Sequence, residues 1–141
     1  MRLIALLTGF LLIFTGSAAA ATRELRLDVR SSTLPAAPEV GTQFVSTGAL
    51  FDGSGGQVGE QNANCSVVQR DPLLAQCAGV LRLSDGDIHY SAVIPYLGRS
   101  AQSCRIAVLA GTGAYAGLRG VGKLLAQRPG QSYSVILDLK P

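Results

Sequence analysis

Histidine and acids are scarce in this 141-residue chain, with one His and nine Asp plus Glu against twelve Lys plus Arg. His89 stands alone, with no partner at ligand spacing, which leaves no imidazole-built metal site to expect. The acids are scattered singly, at Glu24, Asp28, Glu39, Asp52, Glu60, Asp71, Asp85, Asp87 and Asp138, and no convincing acid–base pair stands out. The basic residues form no run long enough to follow a phosphate backbone, so the net charge of +3 does not point to nucleic acid. Helix-period hydrophobicity is missing beyond the N-terminal segment. Seventeen glycines also work against long helices, each costing about 1 kcal/mol in a helix interior. A second long apolar run is absent too, which excludes a further helical membrane span.

The one apolar run lies from Leu3 to Phe14, after Met1-Arg2 and before Gly16-Ser17-Ala18-Ala19-Ala20-Ala21. A short positive start, about 12 apolar residues and small residues at the end describe a signal peptide. It is too short for a membrane helix of about 20 residues. The expectation is a cleaved signal over residues 1–21 and one domain over 22–141, secreted or periplasmic/extracellular and free of the membrane after cleavage. Losing Arg2 brings the charge to about +2.

Three cysteines remain in what is then an oxidising compartment. Cys65 and Cys77 flank the turn chemistry of Arg70-Asp71-Pro72, each six residues from Asp71. Two strands folding back there oppose the two cysteines within disulfide range. Cys104 is left over, as a buried apolar filler, an intermolecular partner or a reactive thiol.

Strand signals recur throughout. They run over Glu24–Val29, Thr42–Phe51, a third stretch from Gly56 to Gln69 interrupted or bulged near Ala63, then Ala75–Leu83, Asp87–Ile94, Arg105–Ala110, Val121–Gln127 and Ser132–Leu139. Asp85-Gly86 between two alternating runs is a hairpin signal. Arg128-Pro129-Gly130-Gln131 suits a type II turn. About eight antiparallel strands with local connections predict an all-β, eight-stranded up-and-down β-barrel, with a sandwich as competitor. Period two places Leu25, Leu27 and Val29 on one face and turns Asp28 to water. It also groups Asp87, His89 and Ser91 on one face. Neighbours two apart on a strand are about 6.5–7 Å apart, too far for the hydrogen-bond chain of a triad, so this is a solvated polar face.

The most distinctive segment runs from Ile106 through Ala110-Gly111-Thr112-Gly113-Ala114-Tyr115-Ala116-Gly117-Leu118-Arg119-Gly120. A dinucleotide fingerprint is excluded by its context, because the following residues alternate like strands and contain Pro129-Gly130. Gly117 to Lys123 fails as a P-loop, since Leu124 stands where a hydroxyl should hold magnesium. The segment resembles instead the Gly-Gly-Thr-Gly-x-(Tyr or Phe)-x-x-Ala-Arg-Gly signature of the allene oxide cyclase and dirigent barrels. The cysteine-bridged hairpin is similar to that of secreted bacterial relatives. Ala110 and Leu118 depart from the signature, at its first Gly and at the Ala before Arg.

The resemblance implies an eight-stranded barrel with an apolar lumen, commonly a homotrimer, in which acids, a tyrosine and an arginine of the lumen are the usual functional groups, the tyrosine and arginine having positional candidates here. On this chain those are Tyr90, Tyr96, Tyr115 and Arg119. Gly111, Thr112, Gly113, Gly117 and Gly120 also have a structural account, as residues that allow close packing and positive φ at a barrel corner, with Tyr115 as a core plug. The implied function is to bind and orient a small apolar or phenolic ligand, with no catalytic residue, cofactor or metal. The alternatives are a cofactor-free cyclase or isomerase acting on an unsaturated lipid-like substrate, and a structural or interaction barrel with a filled lumen. Lumen volume and lumen chemistry separate them.

Overall fold

Alternating side chains carry nearly every segment of the chain into strands, and the strands close on themselves. The computed structural model describes residues 19–96 and 103–141. It contains β1 (Ala21–Ser32), β2 (Gln43–Phe51), β3 (Gln57–Gln69), β4 (Leu74–Leu83), β5 (Gly86–Pro95), β6 (Ser103–Gly111), β7 (Arg119–Arg128) and β8 (Ser132–Lys140), with one 3-10 turn over Gly113–Tyr115. Each strand pairs antiparallel with the next, and β1 pairs with β8 from Ala21↔Leu139 to Asp28↔Ser132. This is a closed barrel, not a sandwich. The expected signal segment lies outside the described residues as far as residue 18.

Two expectations change in detail. β1 extends beyond Glu24–Val29 because its first half pairs with β8 and its second half with β2, up to Ser32↔Ser46. β3 is continuous through Ala63, where an interruption was expected. Asn62, Ala63 and Asn64 keep strict register with β2 and β4, and the irregularities fall around Val58 and Val68 instead. Both hairpins form, although the β4–β5 loop is Ser84-Asp85, with Gly86 already paired to Leu83, one residue before the expected Asp85-Gly86 pair. Gly130 takes φ 74°, and the Gln131 amide donates to the Arg128 carbonyl at 2.9 Å, closing the Pro129-Gly130 turn.

The inner face is apolar. Leu25, Leu50, Leu81, Ile88, Leu137 and Leu139 are buried in the half of the barrel that holds the β4–β5 turn and the glycine segment. The opposite half holds Phe44, the disulfide and Tyr96. Cys65 opposes Cys77 across β3 and β4 and is bonded to it, as the turn spacing predicts. Cys104 is half-buried against the core.

Candidate functional site

The glycine segment closes one end of the barrel by backbone-to-backbone packing. A Cβ on Gly86 would overlap the Thr112 carbonyl oxygen, and one on Gly113 would overlap that of Asp85. Gly113 also has φ 58°. The contact is sealed by the Ala114 amide donating to the Asp85 carbonyl at 2.8 Å and the Thr112 amide donating to that of Asp87 at 2.9 Å. The Thr112 hydroxyl accepts the Asp87 amide at 3.0 Å.

This packing directs Tyr115 into the barrel end, where it is buried. Its hydroxyl donates to Asp85 at 3.0 Å and accepts from Arg23 Nε at 3.0 Å, while Arg23 and Asp85 form an ion pair at 3.0 Å. Both charged side chains are partly exposed, so the ion pair adds little and the phenol tether is the stronger lock. Tyr115 is therefore a plug at the barrel end, separate from the other tyrosines. Arg119 stands apart from all of them. The alternation of β7 turns it outward, exposed and opposite Lys140. The arginine that reaches Tyr115 is Arg23, contributed by β1.

Tyr90 and Tyr96 do meet in the lumen. Together with Ser46, Gln61 and Tyr133 they form a polar cluster among Leu27, Val29, Ile94 and Leu124, around a space of about 20 Å³. Gly79 on the neighbouring strand makes room for the Tyr90 ring, because a Cβ there would sit 2.6 Å from its hydroxyl. Gln61 Nε2 donates to the Tyr90 hydroxyl at 2.9 Å, and Gln61 Oε1 is buried with no partner among the described residues. Tyr96 packs edge-on against Phe44 at 5.1 Å, with its hydroxyl 3.7 and 3.9 Å from the disulfide sulfurs. The Tyr133 hydroxyl accepts the Gly130 amide at 2.7 Å.

Among the described residues the only buried polar side chains are Ser46, Gln61 and Ser132, apart from the tyrosines, and no charged one is buried. Asp28 and His89 face outward, as the alternation predicts. Ser91 accepts from Gln76 Nε2 at 2.7 Å, and no triad forms. No group of three metal-ligating side chains converges among the described residues.

Burial sets the electrostatics of the lumen. It pushes the Tyr90 phenol up to about 12 against a weaker pull from Gln61, raises Tyr96 further, and lifts the Cys104 thiol to about 11. Burial also raises Tyr115 and Tyr133. All four tyrosines of the chain are thus held neutral at pH 7 as hydrogen-bonding groups. A pH dependence follows. Below the ordinary phenol value of about 10, folded and unfolded chains both keep these protons and stability is unaffected. Between about 10 and 12 the unfolded chain ionises first, so stability should fall through that window. The check is phenolate absorbance against pH. Native protein should show less phenolate near pH 10 than unfolded protein, and a full-amplitude native transition there would contradict the burial.

Gln61, Ser46, Tyr133 and Arg23 were not singled out from the sequence. Gln61 lies in the polar run Glu60-Gln61-Asn62, but counting back by twos from Cys65 through Ala63 gives its inward phase.

A sequence profile described as "Allene oxide cyclase barrel like domain" matches residues 23–139. No curated protein matches the chain by sequence. Among solved structures, a pyocyanin demethylase is similar at 20% identity and TM-score 0.69, over 85% of this chain and 100% of that one. An exo-specific intermolecular Diels-Alderase matches at 20% identity and TM-score 0.67, over 88% and 98%. A pterocarpan synthase dirigent protein matches at 15% identity and TM-score 0.63, over 93% of each chain. At these identities the likeness concerns the fold.

Proposed function

The chain belongs to the allene oxide cyclase barrel like domain family, and from that premise we propose an exported binding barrel that holds and orients a small apolar or phenolic molecule without making bonds itself. The observation that carries this reading is the orphan acceptor. Gln61 Oε1 is buried beside the Tyr90 phenol, without a hydrogen-bond partner among the described residues, and a buried acceptor left unpaired costs about 1–3 kcal/mol. A ligand hydroxyl donating to it removes that cost and is oriented by doing so. Neutral phenols and an amide suit orientation better than proton transfer, since no carboxylate, imidazole or amine lines the space. Export is part of the proposal and is supported by the apolar N-terminal run and the disulfide.

The free space of about 20 Å³ is the size of one water, whereas a benzene-sized guest occupies a cavity of about 150 Å³. Binding therefore displaces a lumen side chain. Tyr96, immediately beyond the last residue of β5, is the one we assign to move. The same small volume favours a second reading, a filled barrel with a structural role. A cyclase reading shares the binding site, because a cycloaddition moves no proton and can be accelerated by orientation alone.

The test is a titration with 4-propylphenol followed by the protein's NMR spectrum. Binding should perturb Gln61 and Tyr90, tighten in Tyr96→Ala and weaken about tenfold in Gln61→Leu, which corresponds to about 1.4 kcal/mol. Failure of both wild type and Tyr96→Ala to bind would leave the filled barrel as the reading. The trimer implied by the resemblance belongs to the same proposal. Its natural contact is the outer face across β2 to β6, where Val45, Asn62, Asn64, Val80, His89 and Leu109 line a groove of about 430 Å³ that holds no Asp, Glu, Lys or Arg. Native mass spectrometry reads oligomer and adduct together.

A further inference from the structure

The outer face over β6, β7 and β8 carries a groove of about 480 Å³ that the lumen reading does not use. Alternation turns Arg105 and Lys123 outward, and the register places them directly opposite each other. Like charges opposed across two strands repel. Neither cation is ion-paired with an acid among the described residues. All nine acids lie among the described residues. The ion pairs found there use Asp85, Asp28, Glu39 and Asp138, with neither Arg105 nor Lys123 as a partner. Asp138, the acid within the groove, is paired with Lys140 at 3.4 Å. Beside the two cations the surface is apolar. Val121 is 64% and Ile136 40% exposed, and Ile136 stands opposite Lys123.

A cation pair without a counter-ion, next to bare aliphatic surface, complements an amphipathic carboxylate. We infer that this groove binds a small organic acid, with its carboxylate bridging Arg105 and Lys123 and its apolar body over Val121 and Ile136. The planar guanidinium presents paired donors to a carboxylate, and the ammonium adds a mobile third. The groove volume lies within the usual range for small-molecule sites. Asp138 repels a second anionic group, so the ligand carries a single carboxylate.

The probe is octanoate below its micelle threshold, with octanol as the neutral counterpart, both followed through the methyl signals of the protein. Octanoate should give saturable shifts at Val121 and Ile136 that weaken with added salt. Octanol, and octanoate with the Arg105→Gln/Lys123→Gln variant, should bind at least about tenfold more weakly. That variant should melt no lower than wild type, since it removes a repulsion on an exposed face. Equal binding of octanol, no saturable shift, or binding unchanged by the two substitutions overturns the site. Shifts centred on Ile94 and Leu124 would place the probe in the lumen, which overturns the groove and leaves the lumen reading standing.

Discussion

Gly113→Ala is expected to destabilise the barrel by about 3 kcal/mol, a fall of about 12 °C in Tm for a domain of this length. Two effects add. A residue with a Cβ pays about 1–2 kcal/mol in the left-handed region, where Gly113 sits at φ 58°. Its Cβ would also overlap the Asp85 carbonyl, and crowding against backbone that cannot move aside adds about 1–3 kcal/mol. Gly117 is the control. It has φ 78° but nothing within 4 Å of a Cβ, so Gly117→Ala should show the first effect alone, about 1–2 kcal/mol. Thermal melts of the two variants decide the matter. Equal losses would mean that the backbone contact between the β4–β5 turn and the glycine segment contributes nothing.

Removing the Cys65–Cys77 bridge should cost up to about 3 kcal/mol through the freedom returned to the unfolded chain. The double variant Cys65→Ala/Cys77→Ala avoids burying new hydroxyls, and wild type melted with reductant should lose a similar amount. Thiol counting gives an independent check. Unfolded, unreduced protein should offer one reactive thiol, Cys104, and reduced protein all three. Three free thiols before reduction would refute the bridge. Identical melting with and without reductant would refute its contribution.

Much of the architecture was legible because alternation and turn chemistry act locally. Asp85-Gly86 and Pro129-Gly130 place two hairpins, and the spacing around Asp71 places the disulfide, without reference to distant residues. The full length of β1 was not legible, because its ends are held by β8 and β2, and that pairing is tertiary. The apparent break near Ala63 came from polar residues that look unlike a strand, although Asn62 and Asn64 face outward and cost nothing there.

The site was legible only in part. Tyr90 and Tyr96 are aromatic residues in strand context and stand out for that reason. Tyr115 belongs to the glycine motif but seals the barrel end. Arg119 carries the motif's arginine to the surface, since the residue next to it on β7, Gly120, takes the inward phase. Gln61 was hidden because a polar residue in a polar run gives no contrast. Only the phase of the strand distinguishes it from Glu60.

The seam of the barrel joins its first strand to its last, with Ala21 beside Leu139. Synthesis delivers β1 before β8, so β1 must wait for one of its two neighbours until β8 has been made. During that wait a sheet with two raw edges exists, and each edge can pair with another nascent chain. Contacts this far apart in sequence also close slowly. The rate of seam closure against the rate of edge-to-edge association therefore governs how much chain matures, and dilution during refolding should raise the yield.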